Sequence, residues 1–175
     1  MISALDTMIL IYASQDPDSE NAALIKPEDL KLRKRAKILL IDLDAKKSDV
    51  MIATVAISEY LCKIPSHKHG DIIVEFEKRF KHLPVFDLRA SAKAAELFQL
   101  HRELLPEDQL ERRLLKLDVM VVASAAVAGA QVFYSHDAKC RKLAKLAGME
   151  PRDLPTHSED LFVDKKIRDG KDLFE

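Results

Sequence analysis

Asp6, Glu59, Asp118 and Asp137 stand at positions from which acids can do chemistry together. Asp6 closes the apolar run 1–5, and Asp137 follows Val132-Phe133-Tyr134-Ser135-His136 directly. If both runs are strands of a parallel sheet, both acids project at its carboxyl edge, where ligands of open α/β sheets bind. Asp118 stands immediately before an Ala-rich apolar stretch. Glu59 lies in the apolar run Val55-Ala56-Ile57-Ser58-Glu59-Tyr60-Leu61, one turn after a second strand. A charge inside such a run needs a partner, because buried carboxylates are paired or metal-bound. Four carboxylates at one edge would also repel one another and raise their pKa values. Mg²⁺ or Mn²⁺ removes that repulsion and prefers hard oxygen ligands. Two such ions about 3.5–4 Å apart activate a water and stabilise the leaving oxygen of a phosphodiester. Each acid alone also has a purely structural use. Asp6 and Asp137 fit helix N-caps, Asp118 a cap or a partner for Lys116, and Glu59 a solvent-facing residue or an i,i+4 partner for Lys63. The weight lies in four acids at compatible places in one topology.

The elements that must position these acids alternate between strand-like and helix-like lengths, the pattern of an α/β layer architecture. Strands are expected at 1–5, 49–53, 83–88 and 132–135, with a fifth, edge strand at 149–154. Helices are expected from Met8, over 28–46, 54–63, 70–81, 90–105, 110–121 and 137–147, the last closed by Gly148 as a C′ glycine. Residues 14–30 read as a polar loop. Spacing alone leaves open whether the stretch through Asp118 is one helix or two. Strands separated by helices imply right-handed crossovers and a mostly parallel sheet.

Composition narrows the classes. The 175 residues point to one domain, and at 47% hydrophobic they can bury a core. Lys and Arg total 28 against 29 Asp and Glu, a formal net charge of −1, which excludes a uniformly basic nucleic-acid binder but not a local basic patch. Cys62 and Cys140 form no CxxC pair and read as reduced, packing cysteines of a cytoplasmic protein. Met1 runs into Ile2-Ser3-Ala4-Leu5 without a basic n-region, so no signal peptide is expected. The uncharged stretch from Val119 to Ser135 is too short, and too broken by Gly129 and Gln131, for a membrane span. The six histidines show no HExxH spacing, and no P-loop, GxGxxG or GxSxG occurs.

Four pieces in this order resemble the PIN-domain family, which includes VapC-type toxins. They are Leu5-Asp6-Thr7, Ser58-Glu59-Tyr60-Leu61, Leu117-Asp118-Val119 running into Ala123-Ser124-Ala125-Ala126, and Tyr134-Ser135-His136-Asp137. The resemblance implies a single PIN-like domain over residues 1–155, followed by a polar tail at 156–175. It implies a parallel sheet of strand order 3-2-1-4-5 sandwiched by helices, and a metal-dependent nuclease usually acting on RNA. It makes Asp6, Glu59, Asp118 and Asp137 the catalytic and metal-site acids, with Thr7 and Ser135 as supporting hydroxyls. It further implies an antitoxin protein as partner and a homodimer. Met8, where the family often has Asn or Ser, and Ala138-Lys139-Cys140-Arg141 after the last acid depart from the family pattern.

An acidic centre that handles nucleic acid needs a basic rim for phosphates. Arg33, Lys34 and Arg35 lie in the densest cationic run. Arg112, Arg113 and Lys116 precede Asp118, and Lys139, Arg141 and Lys142 follow Asp137. The same clusters also fit solvated helix faces. Two other functions remain in view. One is a catalytically silent PIN-like module that binds RNA or protein. The other is a phosphohydrolase with Asp6 as nucleophile, a class that usually has a second acid where this chain has Met8.

Overall fold

The computed structural model describes residues 1–14, 26–100 and 109–156, with side chains of 109–114 excepted. The chain divides into two compact units. The larger combines residues 1–7 with 49–153, and the smaller combines 8–48 with the segment from Leu154 onward.

The larger unit is built on a parallel sheet of four strands among the described residues: β1 (Ile2–Leu5), β2 (Asp49–Met51), β3 (Val132–Tyr134) and β4 (Glu150–Arg152), in the order β2-β1-β3-β4. β1 is central. Ser3 aligns with Val50 on one side and Val132 on the other, and Leu5 aligns with Tyr134. The near-continuous apolar character of β1 and β3 suits a parallel sheet covered on both faces, and every residue of β3 is buried. β4 takes the edge, where Pro151 removes no ladder bond from a further strand.

The expected sheet had five strands in the order 3-2-1-4-5, and the observed one differs. The stretch 83–88 forms no strand. His82 makes a single parallel bridge to Met51, and the carbonyls of His82 and Pro84 accept from the N–H groups of Ile52 (3.3 Å) and Thr54 (2.9 Å). Pro84 has no N–H to return, so the ladder stops after one bridge.

Helices α3 (Thr54–Leu61), α4 (His69–Arg79), α5 (Leu88–Leu100), α6 (Gln109–Val127) and α7 (Ala138–Leu146) complete this unit, α4 being led by a 3-10 turn at Ser66–Lys68. Asp87 starts α5 by accepting from the Ala90 N–H (2.8 Å), and Ala90, Ala94 and Leu97 form its buried stripe. The part of the expected 90–105 helix beyond Leu100 lies outside the described residues. α6 is one unbroken helix, with Leu115, Val119, Val122 and Ala123 buried at helical spacing. It packs on α3, α5 and α7, and α7 packs in turn on β3 and β4. Gly148 ends α7 at φ +88°, a left-handed conformation that glycine adopts without steric cost, while the Met149 N–H bonds back to the Ala144 carbonyl.

The smaller unit holds α1 (Thr7–Ser14) from Met8 onward and α2 (Pro27–Ala45). α2 thus matches the helix expected over 28–46, starting one residue earlier. Pro27 fits its first turn, where a missing N–H costs nothing, and Glu28 and Asp29 suit its positive end. Ala36, Ile38, Leu39, Leu40 and Leu43 are buried. The Arg35 guanidinium donates to the carbonyls of Leu154 and Pro155. No described helix is long and apolar enough to cross a membrane. The expected tail from residue 157 lies outside the described residues.

Candidate functional site

Four elements of the larger unit each supply one acid. Asp6 directly follows β1, and its N–H donates to the Tyr134 carbonyl (3.0 Å), so the sheet pairing itself places it beside β3. It is only 6% exposed. The Ser135 hydroxyl donates to Asp6 Oδ2 at 2.6 Å and also accepts from the Asp137 N–H at 3.0 Å. One buried side chain thus ties the ends of the two central strands together. Asp137 is exposed and caps α7, its Oδ1 accepting from the Lys139 N–H at 2.5 Å. Asp6 directly precedes α1 and is held by the Ser135 hydroxyl. Asp137 is both a cap and a neighbour of the other acids.

Glu59 comes from α3. Its Oε2 accepts from the Thr7 hydroxyl at 2.5 Å, which links the second turn of α3 to the residue after Asp6. Asp118 lies inside α6, not at the start of a helix, so the capping alternative does not apply to it. It is partly buried.

The electrostatics bind these four into one group. Burial pushes the Asp6 carboxyl up to about 6. The Ser135 hydroxyl and the Thr7 N–H pull it down, and the charges of Glu59 and Asp137 raise it further. Burial pushes Asp118 up to about 7, with the charges of Asp6, Asp137 and Glu59 adding to it and the Cys140 hydrogen bond opposing. The Cys140 thiol is itself held far above its ordinary range by burial and by Asp6, Asp118 and Asp137. It therefore stays a neutral S–H. Sequence reasoning assigned Cys140 to packing alone. Its place three residues after Asp137, in the first turn of α7, is the signal that puts it near the acids.

The donor set is all oxygen and carries surplus negative charge, the chemistry that suits Mg²⁺ or Mn²⁺. The side chains are not gathered as a finished ligand set. Among the described residues, no group of three or more His, Cys, Asp or Glu side chains has metal-holding geometry. Glu59 accepts from the Thr7 hydroxyl, Asp137 from the Lys139 N–H, and Asp6 from the Ser135 hydroxyl, so each of the three is anchored by a neighbour of the site.

The basic rim divides. Lys139 and Lys142 on α7 and Lys116 on α6 are exposed within this unit. Arg141 instead braces the loop before α7. Its guanidinium donates to the carbonyls of Ser135 (2.8 Å) and His136 (2.7 Å) and lies 3.5 Å from Asp153. His136 pairs with the same Asp153 at 3.0 Å. Arg112 and Arg113 lie on α6 with side chains outside the described residues. Arg33, Lys34 and Arg35 belong to α2 of the smaller unit.

No protein-family model matches the chain, and no curated protein matches it by sequence. Solved structures do match. A chain in the structure of VapBC2 from Rickettsia felis bound to a promoter DNA fragment is 17% identical with a TM-score of 0.53, covering 87% of this chain and 98% of that one. A chain of the FitAcB structure from Neisseria gonorrhoeae is 16% identical with a TM-score of 0.55, covering 86% and 96%. A chain of DNA-bound VapBC from Salmonella typhimurium is 15% identical with a TM-score of 0.51, covering 89% and 99%. At these identities the likeness is one of fold, and at that level it agrees with the VapC-type resemblance carried by the four acidic motifs.

Proposed function

We propose that this chain is a ribonuclease dependent on Mg²⁺ or Mn²⁺ and acts as the toxin of a toxin–antitoxin pair in the cytoplasm. One observation carries the reading: four acids from four separate elements act on one another at the carboxyl edge of the central strands, with Asp6 and Asp118 both pushed upward. Asp6, Asp118 and Asp137 would hold the cation, and Glu59 would complete the site or orient water. A bound divalent ion would supply Lewis-acid charge at the phosphodiester and lower the pKa of the attacking water.

The chain's own residues prepare that chemistry. Ser135 holds Asp6 in place and ties Asp137 to it. Thr7 anchors Glu59 through its hydroxyl. Arg141 stiffens the backbone from Ser135 to His136. Lys116, Lys139 and Lys142 offer cations for RNA phosphates, and Arg112 and Arg113 extend that face in sequence. An antitoxin protein and a second copy of the chain are the partners that go with this role.

A catalytically silent RNA- or protein-binding module is the second reading. It is favoured by the absence, among the described residues, of a preformed group of three metal-holding side chains. Cleavage of a panel of structured RNAs separates the two. Wild-type cleavage with Mn²⁺, abolished by EDTA and by Asp118→Asn, is the expected result. RNA binding without metal-dependent turnover selects the silent module.

A further inference from the structure

Resting on the reading that this edge of the sheet takes RNA, we propose that His136 contacts a ribose 2′-hydroxyl through Nε2 and so lets the site tell RNA from DNA. The imidazole is held by Asp153 through Nδ1, and its other nitrogen is left over one residue before Asp137.

Nothing else in the proposed site separates the two nucleic acids. A bound cation and Lys116, Lys139 and Lys142 would meet phosphate oxygens, which RNA and DNA share. The 2′-hydroxyl is the group that differs, and it both donates and accepts. Reading it takes an exposed polar side chain with a hydrogen-bonding atom to spare. At the ends of β1 and β3 the hydroxyls are already engaged. Ser135 is fully buried between Asp6 and the Asp137 N–H. Thr7 is buried and donates to Glu59, and the buried Tyr134 hydroxyl accepts from Arg152 at 3.2 Å. His136 is different, with 41% of its side chain exposed. A carboxylate can only accept, so Nδ1 carries a proton and donates to Asp153 at 3.0 Å. That bond fixes the ring and leaves Nε2 without a partner among the described residues. The residue is anchored at its backbone too, because the Arg141 guanidinium donates to the His136 carbonyl at 2.7 Å and lies 3.5 Å from the same Asp153. A side chain ordered in advance loses little freedom when it binds. Nε2 accepts from a 2′-hydroxyl when the ring is neutral and donates to it when the ring is charged, so the contact does not depend on protonation.

The test is a mutant cycle between one ring nitrogen and one hydroxyl. His136→Asn keeps a nitrogen that can donate to Asp153 and has no counterpart of Nε2. A fluorescein-labelled structured RNA, and versions with a single 2′-deoxy nucleotide at each position in turn, are bound to the Asp118→Asn protein and followed by fluorescence anisotropy. One 2′-deoxy position should weaken binding about 5-fold, the worth of one hydrogen bond. In the Asp118→Asn, His136→Asn protein the same 2′-deoxy substitution should have no effect. A histidine that only braces the loop would leave the sensitivity to that substitution unchanged. His136→Ala replaces the asparagine variant if circular dichroism shows that asparagine perturbs the fold. Equal sensitivity with and without His136, or no sensitive position at all, overturns this role alone. Cleavage of the same RNA by wild type with Mn²⁺ is measured alongside, and its absence overturns the proposed function while the binding cycle still decides His136. A protein that binds no RNA overturns both.

Discussion

Asp118→Asn should inactivate the protein and, without metal, stabilise it. The Asp118 carboxyl is pushed from its ordinary 3.8 to about 7 by burial and by three neighbouring acids. Once the group is ionised, that rise corresponds to about 4 kcal/mol of destabilisation. Asp118 is only partly buried, and solvent screens part of the repulsion, so about 2 kcal/mol is the working figure. Asparagine removes the charge while keeping the size and shape of the side chain. The sign follows from linkage. The folded-state pKa lies above the unfolded one, so the stability associated with the neutral carboxyl is complete below pH about 4 and lost as pH rises towards 7. The variant's advantage is therefore absent at pH 4, grows through pH 4–7 and is full at pH 8. For a chain of this size, about 2 kcal/mol raises Tm by about 4–8 °C. The assay is thermal unfolding in EDTA at pH 4, 6 and 8, repeated with Mn²⁺. The cation should reverse the ranking, because it stabilises wild type and not the variant. A variant no more stable than wild type at pH 8 in EDTA would refute the argument that these acids are electrostatically crowded.

Other substitutions separate roles that the structure superimposes. Ser135→Ala removes the hydroxyl that donates to Asp6 and accepts from the Asp137 N–H, leaving the buried carboxylate short of a partner; urea unfolding at pH 8 should show a loss of about 2 kcal/mol. Asp137→Ser keeps a capping oxygen and loses the carboxylate, so stability should stay near wild type while Mn²⁺ binding falls. Asp137→Ala should lose both, with about 1 kcal/mol of stability going with the cap. Arg141→Ala should lower stability through the freed Ser135 and His136 carbonyls without altering the salt dependence of RNA binding. Lys142→Ala should leave stability alone and reduce the slope of log affinity against log salt by about 1. Equal salt slopes for these two variants would dissolve the distinction between brace and phosphate contact.

Local pattern in the sequence determined much of this protein. Apolar runs of strand length ending in Asp6 and Ser135, the helical spacing of Leu115, Val119 and Val122, and Gly148 at a helix end depend on residues near one another in the chain. Periodicity and turn chemistry report such features directly. The capping role of Asp137 is of the same local kind. Only the tertiary structure decided what depends on contacts across the chain. Residues 83–88 look like a strand by composition, yet a strand needs a partner's ladder, and Pro84 cannot return the bonds that Ile52 and Thr54 donate. Nothing local told that Asp118 lies within one continuous helix, because an acid preceding an apolar stretch looks the same whether it starts a helix or sits inside one. Likewise the hydroxyl joining Glu59 to Thr7 and the guanidinium clamp of Arg141 appear only once α3 and α7 are packed at the sheet edge. Side-chain partnership is set by packing geometry, and residues distant in sequence carry no mark of it until the fold brings them within hydrogen-bond reach.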